Sequence, residues 1–285
     1  MTRLRTHSTG RRLLGYTALI GFALLFLGPF AIQIATAFKT SPDATSHPLS
    51  LIPNPATMAS WKRIFGYSDE QPVPFGTWLM NSIIVSTSIT LLRVFLDSLA
   101  GYALARLRFP GRRLALGLVL SVLAVPPVVL LIPRFLVLQE LDLYNSYAGM
   151  ILPIAVDAMG ILLMRGFFLQ VPLSIEEAAR IDGAGVFRTY WEVVLPLVKP
   201  GLITLTILSF QGSWNEFSFF LVATSDPKFN TLTTGLAKFS GSLGQGNQFP
   251  VTLGAALLST IPVAILFLIF QRHLIRGQLA GGVKG

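Results

Sequence analysis

Six stretches of this chain, residues 13–38, 78–105, 114–138, 146–169, 202–223 and 251–270, are each long and apolar enough to cross a lipid bilayer as a helix. Such a crossing needs about 20 mostly apolar residues, because a ~30 Å hydrocarbon core is spanned at ~1.5 Å per residue with every backbone polar group paired inside the segment. The expected fold class is therefore an all-α membrane protein with six transmembrane helices. Composition agrees, with 52% hydrophobic and only 12% charged residues, where soluble domains carry about 25% charged. Prolines at 29, 126, 127, 133, 153 and 262 fall inside these stretches. Each removes a helical hydrogen bond and favours a kink that neighbouring helices accommodate.

Orientation follows from Lys and Arg, which are retained on the cytoplasmic side. With the N-terminus inside, Arg3, Arg5, Arg11, Arg12, Arg106, Arg108, Arg112, Arg113, Arg165, Arg180 and Arg188 are cytoplasmic, as are Lys199, Arg272, Arg276 and Lys284. Only Lys39, Lys62, Arg63, Arg134, Lys228 and Lys238 face out. The net charge of +9 therefore borders spans and forms no stripe for nucleic acid. Both termini are expected in the cytoplasm. The first apolar run outlasts the ~7–15 residues of a signal peptide, so an uncleaved first span is expected. Residues 39–77, rich in proline, form an external loop with a short helix near 59–65. No break in composition separates a second domain, which leaves one membrane domain over 1–285.

A polar segment, 174–196, interrupts this apolar pattern. Ser174 and Glu177 have capping-box spacing, which predicts a helix starting at Ile175. Asp182-Gly183 supplies its stop, and Ala178 and Ala179 leave one face without bulk for a close-approaching partner. A second helix is expected over 186–195. Glu177-Ala178-Ala179, Gly183 and Val193-Val194-Leu195-Pro196 resemble the EAA loop of bacterial ABC import permeases. In that family the loop is a coupling helix seated in a cleft of a separate ATPase. The resemblance marks 172–197 as the cytoplasmic coupling loop and gives Glu177, Ala178, Ala179 and Gly183 the ATPase-coupling role.

Further stretches resemble the carbohydrate-importing branch, the maltose and glycerol-3-phosphate permeases. They are residues 100–111, AGYALARLRFPG, the run QGSWNEF at 211–217, and the C-terminal FQRH at 270–273 and AGGVKG at 280–285. The resemblance implies the type I importer permease fold and half of a paired pore for a sugar or sugar-like solute. It implies as partners a second permease, an ATPase dimer carrying ATP and Mg, and an extracytoplasmic solute-binding protein, in a bacterial cytoplasmic membrane. In that branch the tail, here 274–285 with Gly281, Gly282 and Lys284, reaches between the ATPase subunits. Its other reading is an unstructured terminus.

Charges inside spans cost about 2.5–3.5 kcal/mol at a helix centre, so each invites an explanation. Arg93 and Asp97 are four apart and share a helix face, either as an intramembrane ion pair or lining the path. Asp157 has no partner on its own segment, and could accept sugar hydroxyls or pair with Arg93. Trp214, Asn215 and Glu216 supply an aromatic face, an amide and a carboxylate, the ingredients of a sugar site or of a packed subunit interface. The chain has no phosphate-binding glycine loop, no cysteine, and only His7, His47 and His273, without ligand spacing. No catalysis, bound cofactor or metal is expected of it. The alternative is an ion-coupled secondary transporter built on Arg93, Asp97 and Asp157, which leaves the EAA segment unexplained.

Overall fold

The computed structural model describes residues 9–68, 73–242 and 248–281. In chain order the α-helices are α1 (Thr9–Ala37), α2 (Ser41–Ser46), α3 (Ala59–Ile64), α4 (Phe75–Arg106), α5 (Arg112–Leu123), α6 (Leu131–Glu140), α7 (Tyr147–Ile151) and α8 (Ala158–Gln170). There follow α9 (Leu173–Ile181), α10 (Val186–Arg188), α11 (Leu195–Leu197), α12 (Lys199–Trp214), α13 (Ser218–Ala223), α14 (Leu232–Ser242) and α15 (Phe249–Gly281). No strand occurs among the described residues. The chain divides into two compact units, Met1–Phe75 with Lys238–Ser259, and Gly76–Ala237 with Thr260–Gly285.

Three uninterrupted helical stretches are long and apolar enough to cross a membrane: Leu13–Ala37, Phe75–Arg106 and Phe249–Gln271. Three bent pairs bring the total to as many as six. The third and fourth expected spans are thus broken helices and not continuous ones, while the fifth, 202–223, falls on α12 and α13 with residues 215–217 between them, and the third bent pair joins α12 to the segment before it. Arg112–Leu123 and Pro127–Glu140 meet at 99°. Pro126 and Pro127 explain this break, since each lacks an N–H and disfavours a helical residue before it. Tyr147–Ile154 and Ala158–Gln170 meet at 46°, and Val186–Leu197 and Lys199–Trp214 at 82°. A π-helical segment, Thr189–Val194, precedes Pro196, whose ring leaves an upstream carbonyl without its usual donor.

In the first unit α1 is apolar on all sides and almost wholly exposed, as befits a helix covered by lipid or another subunit. The segment after it is held by hydrogen bonds of its own. Thr40 caps α2 by accepting from the Asp43 amide, and the buried Lys39 ammonium donates to the His47 carbonyl at 2.7 Å. The Asn54 amide donates to Asp43 and holds its carboxyl below the usual carboxylate range. The short helix expected near 59–65 is α3, whose Arg63 donates to Gln248 and lies over the Phe239 ring.

Two apolar clusters organise the second unit. One packs Tyr102 and Ala105 of α4 against Met164 and Phe168 of α8, Tyr190 and Val194 of the π segment, and Leu205 of α12. The other joins Val85 and Ile89 of α4 to Leu138, Met150 and the Phe219–Phe220 pair of α13. Glycine permits the close approach of α4 to α8. A β-carbon at Gly101 would stand 2.8 Å from that of Met164, and one at Gly160 would stand 2.2 Å from the Asp97 carboxylate.

Candidate coupling surface

The polar segment forms a short helix held from beneath. Helix α9 begins at Leu173, capped by Pro172 with no side-chain hydrogen bond, so the expected Ser174–Glu177 capping box is not formed. Starting two residues earlier than expected places Ser174 inside the first turn, where its hydroxyl cannot cap. The stop is as expected. Gly183 takes φ +80°, its amide donates to Arg180, and the Ala184 amide donates to Ala179. That is the paired bonding of a left-handed helix terminus. Gly183→Val is expected to cost about 1–2 kcal/mol, because a β-branched residue resists positive φ. Thermal melting of the extracted chain measures it, and an unchanged midpoint would contradict the geometry.

The residue that anchors α9 is Glu176, which sequence reasoning missed. Its side chain is buried, with Oε1 2.9 Å from Arg106 Nε, an ion pair by distance whose N–H does not align as a hydrogen bond. The Tyr102 hydroxyl donates to Oε2 at 3.4 Å, and Arg180 lies 3.9 Å away. Arg106 also donates to the carbonyls of Phe168 and Val171 at the end of α8. One guanidinium therefore ties together the last turn of α4, the end of α8 and α9. The signal was available, since Ile175 and Ala179 mark the inward face of α9 and Glu176 lies on it.

The opposite face is bare. Glu177 and Ala178 are exposed, while Ala179 is buried. Leu173 is 57% exposed, Ile181 86% and, beyond the turn, Phe187 74%. A cleft of about 530 Å³ opens beside them, lined among others by Tyr102, Arg106, Glu176, Glu177 and Arg180. Behind it an aromatic stack continues toward the spans. The Tyr190 ring packs 5.1 Å from Tyr102 and 6.2 Å from Phe168, and its hydroxyl lies 2.7 Å from Ser98 Oγ.

The intramembrane charges do not pair as expected. Among the described residues no ion pair joins Arg93 to Asp97. Arg93 Nε donates to the Ile154 carbonyl at 2.8 Å, and Asp97 accepts from the Asp157 amide at 3.0 Å. Both backbone groups, an acceptor and a donor, sit where the bent pair Tyr147–Ile154 and Ala158–Gln170 breaks. The break frees a carbonyl and an amide that lipid cannot satisfy, and the α4 charges satisfy them. Asp157 itself caps α8, accepting from the Gly160 amide, and makes no ion pair with Arg93.

Trp214, Asn215 and Glu216 do not converge on one surface. Trp214 is buried and stacks 5.4 Å from Phe210. Asn215 is exposed and closes α12 by donating to Gln211, while Glu216 accepts from the Phe219 amide at the start of α13. Gly281 ends α15, and Gly282 and Lys284 lie outside the described residues. Among the described residues no group of acidic or histidine side chains could hold a metal ion.

Known proteins share this architecture. The chain is 36% identical to the sulfoquinovosyl glycerol transport system permease protein SmoH of Agrobacterium fabrum, over 88% of this chain and 86% of that one. It is 33% identical to the arabinooligosaccharides transport system permease protein AraQ of Halalkalibacterium halodurans, over 96% and 98%. It is 32% identical to the sn-glycerol-3-phosphate transport system permease protein UgpE of Yersinia pestis, over 89% and 91%. A chain in the crystal structure of a bacterial ABC transporter involved in the import of the acidic polysaccharide alginate superposes with a TM-score of 0.79 at 26% identity, covering 93% of this chain and 98% of its own. Residues 97–279 match the binding-protein-dependent transport system inner membrane component, and the chain belongs to that family.

Proposed function

We propose that this chain forms half of the translocation pathway of an ATP-driven importer for a sugar or sugar-like solute. Membership of the family makes it a non-catalytic transport subunit of an inner membrane. Its partners would be a second, homologous permease, an ATPase dimer that holds ATP and Mg, and an external binding protein that delivers the solute. With α12 as the crossing part of the third bent pair, the spans number six, and the Lys/Arg distribution supports a cytoplasmic position for α9 and both termini. Glycerol phosphates, sulfosugar glycosides and oligosaccharides, as carried by the systems of its relatives, bound the solute class.

One observation carries this reading: α9 is fixed to α4 and α8 from below by Glu176 and Arg106, while Leu173, Glu177, Ala178 and Ile181 face outward uncovered. A rigid helix with a free apolar and acidic face is a lever that an ATPase could grip. Movement at that face would pass through the Tyr102–Phe168–Tyr190 stack into the spans. In an ion-coupled transporter Arg93, Asp97 and Asp157 would hold the coupling ion, and here Arg93 Nε, Asp97 Oδ1 and Asp157 Oδ2 each bond to a backbone group, which leaves Asp97 Oδ2 buried without a hydrogen-bond partner. Trp214, Asn215 and Glu216 serve packing and helix ends at the α12–α13 break and not a grip on the solute.

Uptake into vesicles with ATP held constant distinguishes the two. Transport that persists with an uncoupler and stops without ATP supports the importer. Transport driven by the gradient alone would overturn it.

A further inference from the structure

A second cavity, of about 700 Å³, opens where α4 turns into α5, and it is lined by Arg108, Arg112, Arg113 and Arg165 together with Phe109 and Leu116. No carboxylate lines it. Two of its arginines are committed to the end of α4: Arg112 donates to the carbonyls of Leu104 and Ala105, and Arg165 to that of Leu104. Arg108 and Arg113 are exposed and form no ion pair among the described residues. Cationic groups gathered without counter-charge repel one another unless an anion joins them.

The same helix states where that anion comes from. None of the residues of α5 is buried, and Leu114, directly after Arg113, and Leu118, about one turn further on, are 69% and 58% exposed. A helix that begins with bare arginines and continues with bare leucines crosses from the headgroup layer into hydrocarbon. We propose that this cavity holds the phosphate of an anionic phospholipid, whose acyl chains lie along Leu116 and the exposed leucines of α5. A basic pocket bordered by membrane helices is the setting in which such headgroups are recognised. Arg112 and Arg165 shape the pocket, and Arg108 and Arg113 supply the free charge. The turn between α4 and α5 would then be fixed to the leaflet, on the helix whose last residue, Arg106, anchors α9.

The test is lipid retention by the full chain extracted in mild detergent, read by native mass spectrometry after mixing with phosphatidylglycerol or with phosphatidylcholine. Arg108→Gln/Arg113→Gln removes the free charge without touching an internal hydrogen bond. Arg188→Gln removes one exposed arginine elsewhere, the partner of Glu192. The wild-type chain should retain phosphatidylglycerol over phosphatidylcholine, and the double variant should lose about thirtyfold in retention at low ionic strength. Arg188→Gln should match the wild type. Equal retention of the two lipids by the wild type, an unchanged double variant, or an equal loss in Arg188→Gln would overturn the proposal. So would displacement of the lipid by inorganic phosphate at equal concentration, which would mark a site for free anions. The readout does not involve transport, so its result stands apart from the importer proposal.

Discussion

Glu176→Ala is expected to loosen α9 from the spans and abolish coupled transport. The substitution leaves the Arg106 guanidinium buried without its counter-charge, a change that costs about 3–5 kcal/mol where a buried pair loses one member. The extracted chain should melt earlier, and protease should cut near α9 more readily. Glu176→Leu with Arg106→Met should recover part of the lost stability, because a packed apolar pair avoids the cost of desolvating charge. Recovery stays incomplete, since the carbonyls of Phe168 and Val171 lose the guanidinium that satisfies them. A Glu176→Ala chain with unchanged melting and unchanged uptake would show that the buried pair anchors nothing.

Glu177→Lys makes the opposite separation. Glu177 is exposed and makes no internal ion pair among the described residues, so folding and membrane insertion should be unaffected. Uptake should fall to near background, because the reversed charge lies on the face proposed to meet the ATPase. Melting of the extracted chain and uptake into vesicles, measured on the same preparation, check both halves. Normal uptake would remove Glu177 from the coupling surface. On the proposed reading the neighbouring glutamates divide the labour, with Glu176 holding the helix to α4 and Glu177 offered to the ATPase.

The sequence made some of this legible and hid the rest for identifiable reasons. The first, second and sixth expected spans appear as Leu13–Ala37, Phe75–Arg106 and Phe249–Gln271, because uninterrupted apolar length is a local property. The third lost continuity at Pro126–Pro127, where two adjacent prolines give a 99° bend instead of a kink. The end of α9 was readable in Gly183, whose role depends on its own backbone angle. Its start was not, because the Ser174 spacing competes with a helix that begins at Leu173. Arg93 and Asp97 share a face as expected. They turn instead to Ile154 and Asp157, since the backbone groups freed by a distant break outweigh an i,i+4 partner. Glu176 escaped notice for a related reason, as its partner Arg106 lies 70 positions away in sequence. Position on an inward face, and not adjacency to the EAA alanines, was its signal.

The central claim, that the outer face of α9 is a cytoplasmic docking surface for an ATPase, is open to one direct measurement. The chain contains no cysteine, so Ala178→Cys places a single thiol on that face. A membrane-impermeant maleimide should label it in inside-out vesicles stripped of peripheral proteins, fail to label it in right-side-out vesicles, and be blocked when the ATPase is added back. Labelling from the outer side, or labelling that the bound ATPase leaves unchanged, would contradict the account.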